Sequence, residues 1–155
     1  MSNTSAAYRT GSAVLFLALA TILGALAFEH IGGMKPCELC LQQRWAYYAG
    51  VPATFVALAL MSAGRRRSAA LVFAAVGLAF LANAGLGVQH SGVEWGFWAG
   101  PATCSAGGLA PLPTTGEELM KALLATKVVP CNEAQWRMFG LSFAGWNVVV
   151  SLILF

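Results

Sequence analysis

The chain is predicted to fold as an all-α membrane protein, a bundle of four transmembrane helices with one long outer loop. Three observations predict this. Of its 155 residues 58% are hydrophobic and only 10% are charged, with a mean hydropathy of +0.69, which leaves too few polar side chains to cover a soluble globule of that size. Four runs carry no charge at all: Gly11 to Phe28, Trp45 to Gly64, Ser68 to Gln89 and Met138 to Phe155. Each approaches the roughly 20 residues a helix needs to cross about 30 Å of hydrocarbon. The runs are also apolar all round, without the period-two alternation of a membrane barrel strand.

Taken in order, the spans are expected at about 11–30, 44–64, 68–89 and 138–155. Loops then cover about 31–43 and 90–137, within a single integral domain over 1–155 that shows no repeat. The charges orient the bundle. Arg9 precedes the first span, and Arg65, Arg66 and Arg67 fill the very short turn between spans two and three. The other side carries Lys35, Arg44, Lys121, Lys127 and Arg137 with all the acids. Short loops and span flanks dominate the positive-inside rule, so the triple arginine and both termini are placed in the cytoplasm. The slight basic excess is then a topology signal and calls for no nucleic-acid partner. Ala25-Leu26-Ala27 also has the small-residue form of a signal-peptide cleavage site, but the uncharged run before it is longer than a usual signal core. A retained first span is therefore expected.

In this topology all four cysteines fall on the outer side. Cys37 and Cys40 lie after span one, Cys104 and Cys131 in the long loop. An even count in an oxidising compartment points to disulfides, either structural staples or working thiols. The spacing of the first pair favours work: a bridge across Cys37-Glu38-Leu39-Cys40 would constrain little of the unfolded chain, and such spacing is common where bonds open and close. A metal site is not expected, because Cys104 and Cys131 lie far apart in sequence and no histidine follows at ligand spacing. Covalent haem is excluded by Leu41, where attachment needs histidine.

Pro36 suits a break before a helix. Cys40 then falls in the first turn of the helix that becomes span two, where unpaired N–H groups and the dipole favour an anion. Glu38 opposes that effect. Arg44 follows Cys40 by four residues and Cys37 by seven, so the three share a face, and its permanent charge stands close to sulfur. Its competing role is an interfacial anchor among Trp45, Tyr47 and Tyr48 in aromatic-belt positions. His90 closes span three at the same membrane face and is a candidate hydrogen-bond donor to a carbonyl oxygen; His30 is a weaker one. In the long loop, Thr115-Gly116-Glu117-Glu118 has the form of a capping box opening an amphipathic helix along Leu119, Met120, Leu123 and Leu124, suited to the membrane surface. Asn83 and Asn147 are expected to hydrogen-bond between helices.

The stretch Lys35-Pro36-Cys37-Glu38-Leu39-Cys40-Leu41-Gln42-Gln43-Arg44, with four spans and a second outer cysteine pair, resembles the bacterial disulfide bond formation protein B (DsbB) family. The Ala-Thr-Cys at Cys104 and the stretch from Cys131 to Trp136 support the resemblance, which covers nearly the whole chain. It implies a quinone-linked thiol oxidase of the inner membrane that serves a periplasmic thioredoxin-fold, DsbA-like partner and the membrane quinone pool. It further implies that Cys104 and Cys131 form the disulfide attacked by that partner, that Cys131 then attacks Cys37, and that Cys40 faces ubiquinone or menaquinone with Arg44 and His90 on a quinone oxygen. Two alternatives remain at this stage. One is a vitamin K epoxide reductase-like enzyme, although there the loop cysteines precede the Cys-x-x-Cys; the other is a non-catalytic tetraspan protein with structural disulfides.

Overall fold

The computed structural model describes residues 2–101, 104 and 130–155. Helix α1 runs Ser2–His30, α2 Glu38–Ser62 and α3 Arg66–Glu94. A two-residue hairpin, β1 at Arg137–Met138 and β2 at Leu141–Ser142, leads into helix α4 at Phe143–Leu154. Among the described residues three helices are long and apolar enough to cross a membrane, Ser5–His30, Glu38–Ser62 and Arg66–Glu94. The capping-box helix expected over 115–126 lies outside the described residues.

Of the fourth span expected at 138–155, the structure shows a shorter apolar helix preceded by a hairpin. Its first residues turn back on themselves: Phe139 and Gly140 both take positive φ, 53° and 83°, the pairing that closes a tight hairpin. Ser142 then starts α4 by accepting a hydrogen bond from the Gly145 N–H. The helix that follows is apolar and covers 12 residues, about 18 Å at roughly 1.5 Å each. An uncharged run could not announce this turn, since none of its residues is polar enough to break the pattern. The outer loops are also shorter than expected. Residues 38–43 belong to α2 and His90 to Glu94 belong to α3, because Cys37 caps the one helix and the α3 ladder continues to Trp95.

The exterior is apolar, with Phe16, Phe55, Leu71 and Leu78 all well exposed, while Thr54, Asn83, His90 and Ser151 are buried. That inversion of the soluble pattern suits a lipid-facing surface. Ala18, Ile22, Tyr47, Val76, Phe80 and Leu154 form the central cluster. Small residues let the helices close up: a Cβ on Gly87 would stand 2.7 Å from Val148 Cγ2, so α3 meets α4 there without a side chain between them. Tyr47 is 3% exposed and so leaves the aromatic belt it was expected to join. Its hydroxyl donates to Asn147 Oδ1 at 2.8 Å, and Asn83 Nδ2 donates to Asn147 Oδ1 at 3.2 Å and to Ser151 Oγ at 3.0 Å. The two asparagines thus bond between helices as expected.

A buried dithiol beside an apolar cavity

The helices bring the candidate residues to one end of the bundle. α2 has 25 residues, so about 38 Å of helix separates the cysteines at its start from the arginine turn beyond its end. Cys37 is the N-cap of α2, with extended φ and ψ, and its sulfur accepts the Cys40 backbone N–H at 3.2 Å. A sulfur thus satisfies one of the orphan donors of the first turn, where an oxygen would be usual. Cys40 follows in the first turn, half-buried, and both are free thiols.

Cys37 is almost fully enclosed. Its thiol is pushed well up from the ordinary cysteine range by its hydrogen bond to the Cys40 sulfur, then by burial and by the charge on Cys40. These outweigh the backbone N–H that pulls the other way. The Cys37 proton is therefore held firmly. Against it from α3 stands His90, 2% exposed, whose Nε2 lies 3.6 Å from Cys37 Sγ. The other ring nitrogen, Nδ1, is 2.9 Å from the amide of Gln43. Glu94 Oε1 stands 3.8 Å from His90 Nε2, and Glu94 Oε2 has no hydrogen-bond partner among the described residues.

Arg44 reaches the same place but is paired there with Glu29, at the end of α1. The ion pair ties α1 to α2 beside the cysteines and leaves the guanidinium with donors to spare. Trp45 and Tyr48 stay exposed, so the anchoring belongs to them while Arg44 turns inward. Among the described residues His30 joins no polar contact of this site.

Cys104 and Cys131 form a disulfide. It is packed with Cys37, Leu39, Val93 and Cys40 in a single apolar cluster. The segment after it is pinned to the α1–α2 loop by Gln135 Nε2 donating to Lys35 O at 2.6 Å. Trp136 stacks on Phe143 with centroids 4.8 Å apart and meets Phe28 at 5.6 Å. These rings wall a cavity of about 310 Å³ into which Cys37, Cys40, Gln43, Arg44, His90 and Glu94 also face, and which reaches down to Tyr47 and Asn147.

Sequence reasoning missed Gln43, Glu94 and Glu29. Helical spacing held part of the signal, since Gln43 is three residues after Cys40 and Glu94 four after His90. The pairing of Glu29 with Arg44 crosses between helices and left no local trace.

The fold and site define a multi-pass membrane protein with a buried dithiol and a disulfide packed together at one end of its bundle. The model of the family described as disulfide bond formation protein DsbB matches residues 9–155, and the chain belongs to that family. It is 32% identical over 143 residues to disulfide bond formation protein B 2 of Pseudomonas syringae pv. syringae (strain B728a), covering 86% of this chain and 75% of that protein. Similar likenesses hold with the disulfide bond formation protein B of Marinobacter nauticus, at 32% over 149 residues, 91% of this chain and 83% of the relative. That of Aromatoleum aromaticum is 29% identical over 138 residues, 87% and 80%. No solved structure matches the chain significantly. It is thus a disulfide-forming oxidoreductase of the membrane.

Proposed function

We propose that this chain is a thiol:quinone oxidoreductase of the bacterial inner membrane, reoxidising a periplasmic thioredoxin-fold oxidase of the DsbA type and passing the electrons to membrane quinone. The observation that carries the reading is the packing of the disulfide and the dithiol in one buried cluster, beside a cavity walled by aromatic rings and polar at one end. Both termini lie in the cytoplasm and the cysteines on the periplasmic side.

Exchange proceeds by thiolate attack on disulfide sulfur. The reduced partner attacks Cys104, breaking its bond to Cys131 and releasing the Cys131 thiolate. Cys131 attacks Cys37 of an oxidised Cys37–Cys40 pair, which frees Cys40. The partner's second thiol then resolves its bond to Cys104, leaving as a disulfide, and Cys104 closes again on Cys131. What remains is the dithiol Cys37 and Cys40 with an intact Cys104–Cys131 bridge, the state described here. Cys104 is 5% exposed, so the partner reaches it only once its covering opens.

A quinone fits the cavity, which falls within the usual few hundred Å³ of a small-molecule site. Phe28, Trp136 and Phe143 would hold its ring, while Arg44, as a fixed donor, and His90 would hold its oxygens. When bound, it supplies a two-electron, two-proton sink that ends as quinol. This chain's residues do the rest: Cys40 presents its sulfur at the helix start, Cys37 closes the disulfide, and His90 Nε2 stands where the Cys37 proton leaves. The test is quinol formation by the purified full-length protein given a reduced thioredoxin-fold donor. One quinol per donor disulfide is expected, with turnover abolished in Cys40→Ala. Donor oxidation that proceeds without quinol formation would overturn the assignment.

A further inference from the structure

The cysteine spacing offers no metal site along the chain, yet the fold gathers three candidate ligands at one point. Cys37 Sγ, Cys40 Sγ and a nitrogen of His90 all lie within 4.8 Å of one another. His90 enters from α3, 53 positions after Cys37, beyond the reach of any spacing rule. A tetrahedral zinc with a sulfur at about 2.3 Å and a nitrogen at about 2.0–2.1 Å sets those two ligands roughly 3.6 Å apart. The observed Cys37 Sγ to His90 Nε2 distance is 3.6 Å.

A carboxylate stands beside this set without being one of the three groups that meet. The Glu94 side chain is 4% exposed and its Oε1 lies 3.8 Å from His90 Nε2, while its Oε2 is buried without a hydrogen-bond partner among the described residues. A carboxylate so placed accepts a cation readily. Gln43 supplies the outer support: it holds His90 Nδ1, and a carboxamide can present oxygen or nitrogen to that position, so it serves the ring whether or not Nε2 binds metal.

We propose that the reduced Cys37–Cys40 pair, with His90, binds a thiophilic d¹⁰ cation such as Zn²⁺ or Cd²⁺, whose charge the neighbouring Glu94 carboxylate helps to balance. Binding replaces two thiol protons, which leave to solvent, and changes no oxidation state. The Cys37–Cys40 disulfide offers no thiolate, so the site exists in the dithiol state alone and holds the protein there. Metal and the oxidation of Cys40 are thus mutually exclusive.

The experiment needs neither quinone nor protein partner, so its failure leaves disulfide exchange standing. Wild-type full-length protein in detergent, fully reduced, is titrated with Cd²⁺ and then treated with N-ethylmaleimide, and modification is read cysteine by cysteine by mass spectrometry. Cys37 and Cys40 should become protected with the appearance of cadmium–thiolate absorbance, while Cys104 and Cys131 react as they do without metal. His90→Ala should raise the cadmium needed for half-protection by about tenfold or more, and Glu94→Gln by a smaller factor. Equal protection of all four cysteines, or a His90→Ala variant within about twofold of wild type, overturns the site.

Discussion

Two buried polar clusters occupy the same helices about two turns apart, and only one of them is built for chemistry. In the middle of the bundle Tyr47, Asn83, Asn147 and Ser151 bond mainly to one another across α2, α3 and α4. At the outer end Cys37, Cys40, Gln43, His90 and Glu94 meet beside the Arg44–Glu29 pair. The first set is neutral at any physiological pH, and its hydrogen bonds fix how three helices stand in lipid. The second set holds nucleophiles, ionisable groups and an unpartnered carboxylate oxygen, all facing one cavity. Burial of polar groups alone therefore does not mark function here; titratable groups left with unused valence beside a cavity do.

The sharpest break between the clusters should come from the sulfur relay. Cys104→Ala is expected to reduce oxidation of a thioredoxin-fold donor to background while leaving the Cys37–Cys40 pair able to reduce added quinone. Stopped-flow quinone absorbance with chemically reduced protein separates the two steps. Loss of both would mean that the disulfide is needed to shape the dithiol site rather than to pass electrons.

How much of this contrast was legible beforehand differs by residue. Uncharged runs exposed three of the helices, because a bilayer imposes a length that any apolar stretch must meet. The Cys37–Cys40 spacing and the i, i+4 placement of Arg44 exposed the dithiol, because both lie in one helix turn. His90 was located only to the correct end, and its approach to Cys37 depends on how α3 packs on α2. Glu29 and Glu94 read as ordinary acids flanking spans; their partners come from tertiary structure. The hairpin at Phe139 and Gly140 stayed hidden because positive φ at a phenylalanine has no composition signal.

Arg44 tests whether the outer cluster binds or merely braces. A charge-assisted hydrogen bond to a quinone oxygen is worth about 1.5–3 kcal/mol, so Arg44→Ala should raise the quinone KM by roughly ten- to a hundredfold. Removing Arg44 also orphans Glu29. The double variant Glu29→Gln/Arg44→Ala removes that complication, and it should show the same KM as Arg44→Ala alone. Recovery in the double variant would instead assign Arg44 to bracing α1 against α2.

The two thiols should also part company in their reactivity. Cys37 is 5% exposed and its thiol is pushed up by its bond to the Cys40 sulfur and by burial. The nucleophile is the thiolate, so a thiol whose titration lies above the ordinary value of about 8.5 reacts slowly through the range where a free cysteine ionises. Iodoacetamide should therefore modify Cys40 at least about tenfold faster than Cys37. Between pH 7 and pH 9, roughly the window in which a free thiol ionises, the Cys37 rate should stay far below that of a free cysteine and keep climbing about tenfold per pH unit without levelling off. A Cys37 rate that equals a free cysteine's and levels off with it by about pH 9 would show that its hydrogen bond and enclosure do not hold the proton.

The smallest effect is expected in the central cluster, and it should be one of stability alone. Asn83 is 2% exposed and donates to both Asn147 and Ser151, and it lies outside the cavity lining. Leucine has a similar volume, so Asn83→Leu removes two interhelical hydrogen bonds with little change in packing. Such bonds in membrane bundles average about 0.6 kcal/mol and reach roughly 1.7, so the variant should lose about 1–2 kcal/mol of unfolding free energy in detergent. Its quinone KM and its Cys40 alkylation rate should match wild type, because neither bond touches the group that His90 gathers one end further along α3. A shifted KM with unchanged stability would join the two clusters into one functional unit, with Asn83 acting on the outer site through Asn147 where the cavity ends.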